Sequence, residues 1–221
     1  MSALRSVRMC TVVALRYYAP MPEPYEFDGA DIAELLIQIG RLAYAESGEA
    51  GLTPTQWMAL RYFARANRFS RTVSAFADYH ATTRGTVSQT VKTLTERGYL
   101  SRRRSESDGR SVRLDLTEKG RDAIAADPLS RLIGLIDALP SDAQQSLAIE
   151  ISGIASGLSQ ALDRPAFGPC RRCRFLTNDE QSAHGSAQAS CRYLNEPLDA
   201  EDLARLCVNY VAASALESRP S

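Results

Sequence analysis

The sequence predicts a mainly helical fold with one small β-hairpin, and three observations lead to this fold class. Apolar residues recur at helical spacing in several segments between residues 31 and 97, and again in residues 142–162. After Gly98 the period changes from about 3.6 to about 2 residues, which is typical of strands. Between the two alternating stretches lies Asp108-Gly109, a dipeptide that favours a tight hairpin turn.

Four helices are expected ahead of the hairpin, each with its own start or stop signal. Asp31 can cap the first helix, Thr53 or Thr55 opens the second, and Thr83 caps the fourth. A tight polar turn separates the third helix from the fourth, and Gly98 supplies the left-handed residue that ends the fourth. The expected spans are residues 31–47, about 53–67, 72–79 and 83–97.

The alternating stretches, residues 100–104 and 112–116, predict a two-stranded hairpin rich in arginine. Thr117 then caps a further helix. Residues 142–162 form a long helix whose stripe of Leu and Ile extends beyond what a small domain covers by itself. We expect this helix and the first one to pack against a second copy of the chain; the alternative is a core helix within a single chain.

The composition is that of an ordinary globular protein of 221 residues, with 26 basic and 26 acidic side chains and 44% hydrophobic residues. Extended disorder and collagen-like architecture are excluded. Apolar runs such as residues 11–15 and 32–37 are far shorter than the roughly 20 residues that span a bilayer. Arg16 interrupts the stretch that most resembles a secretory signal, and no small-residue cleavage site follows it. We expect a cytoplasmic protein that does not enter a membrane.

The zero net charge conceals a strongly basic centre. Residues 61–121 contain 14 basic and six acidic side chains, a local net charge of +8. Two short helices joined by a tight turn and followed by a basic hairpin form a winged helix-turn-helix, in which the second helix of the pair enters the major groove of DNA. The basic residues then neutralise phosphates. The alternative is a solvated surface that is rich in arginine.

Side chains on the outer face of the fourth helix and in the hairpin are the candidate DNA contacts. Arg84 can donate two hydrogen bonds to guanine and Gln89 can pair with adenine, whereas wing arginines reach phosphates or the minor groove. The helix candidates are Thr83, Arg84, Thr86, Ser88, Gln89 and Lys92, and the wing candidates are Arg102, Arg104, Arg110 and Arg113.

A series of short motifs adds a resemblance to this prediction. In chain order they are Leu52-Thr-Pro-Thr-Gln-Trp57, Thr86-Val-Ser-Gln89, Leu94-Thr-Glu-Arg-Gly-Tyr-Leu100, Asp108-Gly-Arg110 and Leu116-Thr-Glu-Lys-Gly120. The series resembles the MarR family of bacterial transcription regulators over roughly residues 31–162. The resemblance implies an obligate homodimer with intertwined terminal helices, a pseudo-palindromic double-stranded operator, and repression relieved by a ligand or by oxidation. An N-terminal extension, residues 1–30, and a cysteine-bearing tail, residues 165–221, depart from the family on either side of residues 31–164.

The tail carries four of the five cysteines, spaced C-x2-C-x17-C-x15-C: Cys170, Cys173, Cys191 and Cys207. Clustered cysteines in a reducing compartment are typical metal ligands, and a short segment gains folding energy from a bound centre. We place Cys207 on a helical stripe that Asp199 caps. Zinc ribbons usually contain two C-x2-C pairs, whereas this tail has one such pair and two widely separated single cysteines. An iron-sulfur cluster is therefore favoured over zinc. Four unligated, redox-active thiols are the remaining alternative.

The leading hypothesis is therefore a homodimeric DNA-binding transcription regulator whose tail binds an iron-sulfur cluster and senses redox or iron status. One alternative is a similar regulator with a structural zinc tail and a small aromatic ligand. Another is a thiol or cluster redox enzyme that carries a winged domain; no catalytic triad or phosphate loop supports it, so we expect no enzyme. For Cys10 we expect an inert buried thiol rather than the peroxide sensor of one branch of the resembling family.

Overall fold

The structure is a computed structural model of the chain, and it describes residues 26–45, 50–104, 112–179 and 188–213. Cys10, the Asp108-Gly109 turn and Arg110 lie outside the described residues. The chain divides into two compact units, Met1–Gly51 with Asp127–Ala148, and Leu52–Ala126 with Ile149–Ser221. The sequence analysis predicted domain boundaries near residues 30 and 164. Those boundaries separate segments expected to fold independently, and they stay a prediction.

The described residues form eight α-helices and seven short strands. In chain order these are α1 (Gly29–Ala45), α2 (Pro54–Arg65), α3 (Val73–Tyr79), α4 (Arg84–Glu96), β1 (Leu100–Arg104), β2 (Val112–Leu116), α5 (Glu118–Ala125), α6 (Ser130–Asp137), α7 (Ser141–Ala161), β3 (Gly168–Pro169), β4 (Leu176–Asp179), β5 (Gln188–Cys191), β6 (Glu196–Pro197), α8 (Ala200–Ala204) and β7 (Leu206–Cys207). The mainly helical winged helix-turn-helix predicted from the sequence is confirmed.

Most helix starts follow the predicted caps. Thr53 closes a capping box with Gln56, which settles the choice between Thr53 and Thr55. Thr83 and Thr117 each accept a hydrogen bond from a backbone N–H in the first turn. Asp31 was predicted to cap α1, but Asp28 does so: its Oδ1 accepts from the N–H groups of residues 30 and 31 at 2.8 and 2.9 Å.

Helix α6 was not predicted from the sequence. Its eight residues lie between two prolines, which are typical punctuation between helices. Asp127 substitutes for a conventional cap, because its Oδ1 accepts from the Leu129 N–H at 2.8 Å. In a segment this short, the apolar pattern is too brief to separate a helix from a loop.

The core of the second unit lies among α2, α3, α4 and the β1–β2 hairpin. It is centred on aromatic side chains from α2 and α3, with Tyr62 and Phe76 at a ring-centroid distance of 5.3 Å. The largest fully buried side chains are Trp57, Tyr62, Phe63, Phe76, Leu52, Leu60, Leu94, Leu100, Leu114, Val87, Val91 and Asn67. Asn67 is the polar member of this set, and it faces the cysteine-bearing segment.

Within the described residues, no helix combines the length and the apolar character that crossing a membrane requires.

Candidate nucleic-acid interface and cysteine module

Helix α4 is held with one face in the core and the other in solvent. Val87, Val91 and Leu94 are fully buried along one face. The turn before it contains Ala81 in the left-handed region, with φ of 50°, and this compact turn brings α3 and α4 into contact. The opposite face of α4 is therefore available along its first three turns.

All six predicted side chains of α4 are exposed: Thr83, Arg84, Thr86, Ser88, Gln89 and Lys92. Some of them already contact their own helix. Ser88 donates its hydroxyl to the Arg84 carbonyl at 2.6 Å, and Lys92 lies 3.9 Å from a Glu96 oxygen. The longer Arg84 and Gln89 side chains are both exposed and lie about 140° apart around the helix axis. The arrangement matches the geometry of a helix that reads base edges from its N-terminal half.

The predicted wing arginines are divided between two faces of the hairpin. In the antiparallel register Arg102 lies opposite Leu114, and Arg104 opposite Val112, so these two arginines share the face that carries buried Leu114. Arg113 lies on the other face, directly opposite Arg103. Arg103 is 78% exposed, and the sequence analysis missed it. Alternation along β1 could have identified it as the partner of Arg113.

The base of the wing is fixed to the loop that precedes α3. The Leu114 N–H donates to the Arg71 carbonyl at 2.8 Å, and Arg71 donates through Nη1 to Asp115 Oδ1 at 2.8 Å. Thr117 adds a hydroxyl bond to the Gly98 carbonyl at 2.6 Å. Arg71 therefore joins the wing to the helix-turn-helix, and it lies in residues 66–72, which we call the α2–α3 loop.

The described part of the cysteine-bearing tail, residues 165–179 and 188–213, forms a small module of paired strands. Strand β5 pairs with β4 and β6, and β3 pairs with β7. Cys170 opens a single 3-10 turn that ends before Cys173, and Cys191 lies at the end of β5. The prediction that Cys207 lies on a helix was wrong. Helix α8 stops at Ala204, and Cys207 lies in β7 opposite Gly168.

A close approach explains why a glycine stands at position 168. A Cβ atom added there would lie 2.6 Å from the Tyr210 ring, far inside van der Waals contact. The Tyr210 ring and Leu203 pack against a buried cluster of Cys170, Cys191, Leu198 and Cys207.

Three of the four cysteines are buried and Cys173 is half-buried. Cys170, Cys191 and Cys207 belong to one buried cluster. Hydrogen bonding with Cys170 lowers the pKa of the Cys207 thiol, whereas the same interaction together with burial raises the pKa of Cys170. Among the described residues, no three His, Cys, Asp or Glu side chains lie together in an arrangement that could hold one metal ion.

The arginines of the tail lie on its surface. Arg171, Arg172, Arg174 and Arg192 are all exposed, whereas the neighbouring cysteines are mostly buried. The module therefore combines an interior of thiols with a positively charged exterior. That charge favours negative groups inside, whether thiolates or a thiolate-bound centre.

The module is bound to the α2–α3 loop by backbone and side-chain contacts. The Asn67 N–H donates to the Leu206 carbonyl at 2.8 Å, and the Val208 N–H donates to Ser70 Oγ at 2.9 Å. Arg68 forms an ion pair with Asp202, which is 4% exposed. These contacts connect positions more than 130 residues apart in the chain, and no local sequence pattern indicates them.

One family matches part of the chain: residues 50–111 match the MarR family. This range covers the helix-turn-helix and the first strand of the wing, and it ends before the cysteine module. Among curated proteins no relative of similar sequence is found.

Solved structures give further likenesses. A MarR/EmrR family transcriptional regulator from Acinetobacter sp. ADP1 is 23% identical with a TM-score of 0.48, covering 59% of this chain and 94% of that one. The S. aureus MepR–DNA complex is 17% identical with a TM-score of 0.48, covering 60% and 97%. A MarR family transcriptional regulator from Streptomyces coelicolor in complex with DNA is 21% identical with a TM-score of 0.45, covering 62% and 93%. The segment of this chain that matches the family at the level of sequence is its helix-turn-helix with the first strand of the wing.

Proposed function

We propose that this protein is a DNA-binding transcription regulator that reads double-stranded DNA with α4 and the β1–β2 wing. The observation that best supports this function is the exposed polar face of α4. The other face of the helix is buried through Val87, Val91 and Leu94. The basic hairpin beside it supplies cations for phosphates. The match of residues 50–111 to the MarR family supports the same function.

Arg84 and Gln89 are expected to contribute sequence-specific affinity, and Arg102 non-specific affinity. Arg84→Ala or Gln89→Ala should cost about 1–3 kcal/mol on the preferred site, whereas Arg102→Ala should weaken all duplexes alike and flatten the salt dependence by about one unit. The probe is a 30-base-pair duplex selected by the full chain from a randomised library, compared with a scrambled duplex by fluorescence anisotropy. Equal losses on both duplexes for all three variants would contradict the assignment of α4 as the reading helix.

We propose that the regulator acts as a homodimer on a pseudo-palindromic operator. Large apolar side chains are exposed along α1 and α7 of the single chain. They include Ile32, Leu35, Leu36, Ile37, Ile39 and Leu42 on α1, and Leu147, Ile151, Ile154 and Leu158 along one side of α7. Exposed apolar area on this scale is typical of an interface. A second copy of the chain is the proposed partner, because two copies place two α4 helices on two half-sites.

We propose further that Cys170, Cys173, Cys191 and Cys207 hold an iron-sulfur cluster by which the regulator senses redox or iron status. The support is the chemistry of the residues: thiols are the ligands that such a cluster takes, and Cys170, Cys191 and Cys207 belong to one buried cluster, although the described structure does not arrange three ligands around one metal ion. The Asn67 Oδ1 atom beside them is buried without a hydrogen-bond partner in the described residues. A bound cluster would supply folding energy and a charge that changes with oxidation state. Four cysteines also suit zinc, which is the second candidate.

The four cysteines are expected to act as one unit. Each Cys→Ser change in the tail should lower metal content and resistance to proteolysis between Pro169 and Tyr210 to a similar degree, because losing one of four ligands opens the site. Cys10→Ser is the matched control and should change neither. Anaerobically purified protein with visible charge-transfer bands would support the cluster, and a colourless protein with one zinc per chain would support zinc. Cysteine variants that keep full metal content would contradict the ligand assignment.

A further inference from the structure

A cavity of about 590 Å³ lies where the helix-turn-helix, the wing with helix α5, and the cysteine module meet. Its volume is within the range of roughly 300–1,000 Å³ that is typical of small-molecule sites. Two of its walls, α5 and the cysteine module, lie beyond residues 50–111, the segment that matches the MarR family. The cavity is therefore formed in part by elements that the family match does not include.

The lining of this cavity is positively charged. Four guanidinium groups and two carboxyl groups line it, which gives a formal net charge of +2; they belong to Arg71, Arg103, Arg121, Arg205, Asp115 and Glu201. A guanidinium keeps its proton at every physiological pH, so its positive charge is permanent. Like charges gathered in one cavity repel each other, and an anion with a charge of about −2 balances them. A dianion is therefore the ligand that this lining fits.

The arginines of the cavity can donate to a ligand in addition to the contacts they already make. Asp115 Oδ1 accepts from Arg71 Nη1 at 2.8 Å, and Asp115 Oδ2 lies 3.7 Å from Arg103 Nε. Glu201 forms an ion pair with Arg205. Each of these guanidinium groups has more N–H groups than its described contacts occupy. A guanidinium binds a phosphate or a carboxylate through two parallel hydrogen bonds.

One side of the cavity is apolar, and an arginine lies beside it. Phe63, Leu116 and Ile124 form this side. Arg121 lies three residues before Ile124 on α5, so the two side chains share a face of the helix. Arg121 Nη1 donates to the Leu116 carbonyl at 3.0 Å, which holds the guanidinium next to the apolar wall. A lining of this kind suits a ligand that combines an anionic group with an apolar body.

We propose that this cavity binds a small organic dianion, a phosphate monoester or a dicarboxylate with an apolar body. The ligand accepts hydrogen bonds from Arg71, Arg121 and Arg205 and competes with Asp115 for Arg103. The Arg103 side chain is 78% exposed on the wing, so a ligand that engages it withdraws a cation from DNA phosphates. Occupation of the cavity therefore lowers DNA affinity, and this second step rests on the proposed DNA-binding function.

Isothermal titration calorimetry on the full-length chain without DNA tests the site directly. The probes are phenyl phosphate and phthalate, which carry a dianion on the same ring, together with inorganic phosphate and benzyl alcohol, at constant ionic strength. At least one of the two ring dianions should bind about tenfold or more tightly than both inorganic phosphate and benzyl alcohol, because only the ring dianions use both sides of the cavity. The comparison of phenyl phosphate with phthalate shows whether the site takes a phosphate or paired carboxylates.

Arg121→Gln should weaken binding of the ring dianion at least about fivefold, because a charge-assisted hydrogen bond is lost. Lys119→Gln is the matched control on the same helix. Lys119 does not line the cavity, and its Nζ donates to the Arg97 carbonyl at 2.9 Å, so this variant also loses one cation and one bond to a backbone carbonyl. It should bind the ring dianion like the unmodified chain. Ala125→Phe, at an exposed position of the lining, fills the cavity without removing charge and should also weaken binding.

Fluorescence anisotropy on the selected 30-base-pair duplex tests the effect on DNA binding. A saturating ring dianion should lower the DNA affinity of the unmodified chain at least about fivefold, within the range of allosteric couplings. Benzyl alcohol should leave DNA affinity unchanged. In Arg121→Gln, the ligand concentration that gives half of the effect should rise by the same factor as the dissociation constant from calorimetry.

The outcomes separate this inference from the proposed function. Ring dianions that bind no more tightly than inorganic phosphate, or equal weakening in Lys119→Gln and Arg121→Gln, overturn the site. Binding in the cavity with unchanged DNA affinity overturns the effect on DNA alone. A chain that binds no duplex overturns the proposed DNA-binding function, and calorimetry still decides whether the cavity binds a dianion.

Discussion

Replacing Ile151 and Ile154 together by Asp is expected to leave a monomer that no longer binds the selected operator. Both side chains are exposed on α7, at 40% and 53%, and lie about 60° apart around the helix axis. Two carboxylates would have to enter an apolar interface without partners, a cost that prevents association. A monomer holds one half-site, so affinity should fall toward the non-specific level, about a thousandfold or more.

The measurement combines multi-angle light scattering with fluorescence anisotropy on the operator and a scrambled duplex. Gln145→Asp with Gln160→Asp is the matched control, since it adds the same charge to the same helix on a different side. The control should remain a dimer with unchanged operator binding. If the Ile151→Asp, Ile154→Asp protein is still a stable dimer, the interface lies elsewhere.

The second large effect is expected at the ion pair that joins the cysteine module to the α2–α3 loop. Arg68→Ala leaves the carboxylate of Asp202 unpaired, and that side chain is only 5% exposed. Breaking a buried pair by removing one partner costs roughly 3–5 kcal/mol; because Arg68 is 30% exposed, we expect about 2–4 kcal/mol in the free energy of unfolding.

Urea unfolding of the single and double variants measures this effect. Adding Asp202→Ala to Arg68→Ala should recover most of the lost stability, because the uncompensated charge is then absent. Lys92→Ala, which breaks the exposed contact with Glu96, should cost less than about 0.5 kcal/mol. A double variant no more stable than Arg68→Ala would show that packing of the arginine, rather than the buried charge, supplies the energy.

Local signals account for the parts of the fold that the sequence predicted correctly. Thr53, Thr83 and Thr117 cap helices because a hydroxyl accepts from a nearby N–H, and that chemistry is visible in the sequence. Gly98 adopts φ of 77° at the end of α4, as a left-handed stop requires. The spacing of Val87, Val91 and Leu94 likewise predicted which face of α4 is buried and which is exposed.

Long-range pairing accounts for most of what the sequence did not show. Strand β7 has two residues, so no period can reveal it, and Cys207 was predicted on a helix because apolar residues happen to flank it at helical spacing. The bond from Asn67 to Cys170 spans 103 residues. The residue types of the tail indicated a thiol site, but the loop that contacts the sulfurs could be identified only from the folded chain.

The bonds that complete the α2–α3 loop also impose an order on its biosynthesis. The acceptor Ser70 Oγ and its donor, the Val208 N–H, are 138 residues apart. At about 5–20 residues per second, the ribosome needs on the order of 10 s to make the intervening chain. During that interval the helix-turn-helix can form its aromatic core, while Asn67 and Ser70 are hydrated in place of their later partners. The DNA-reading half of a nascent chain therefore reaches its final structure only when β7 has been synthesised.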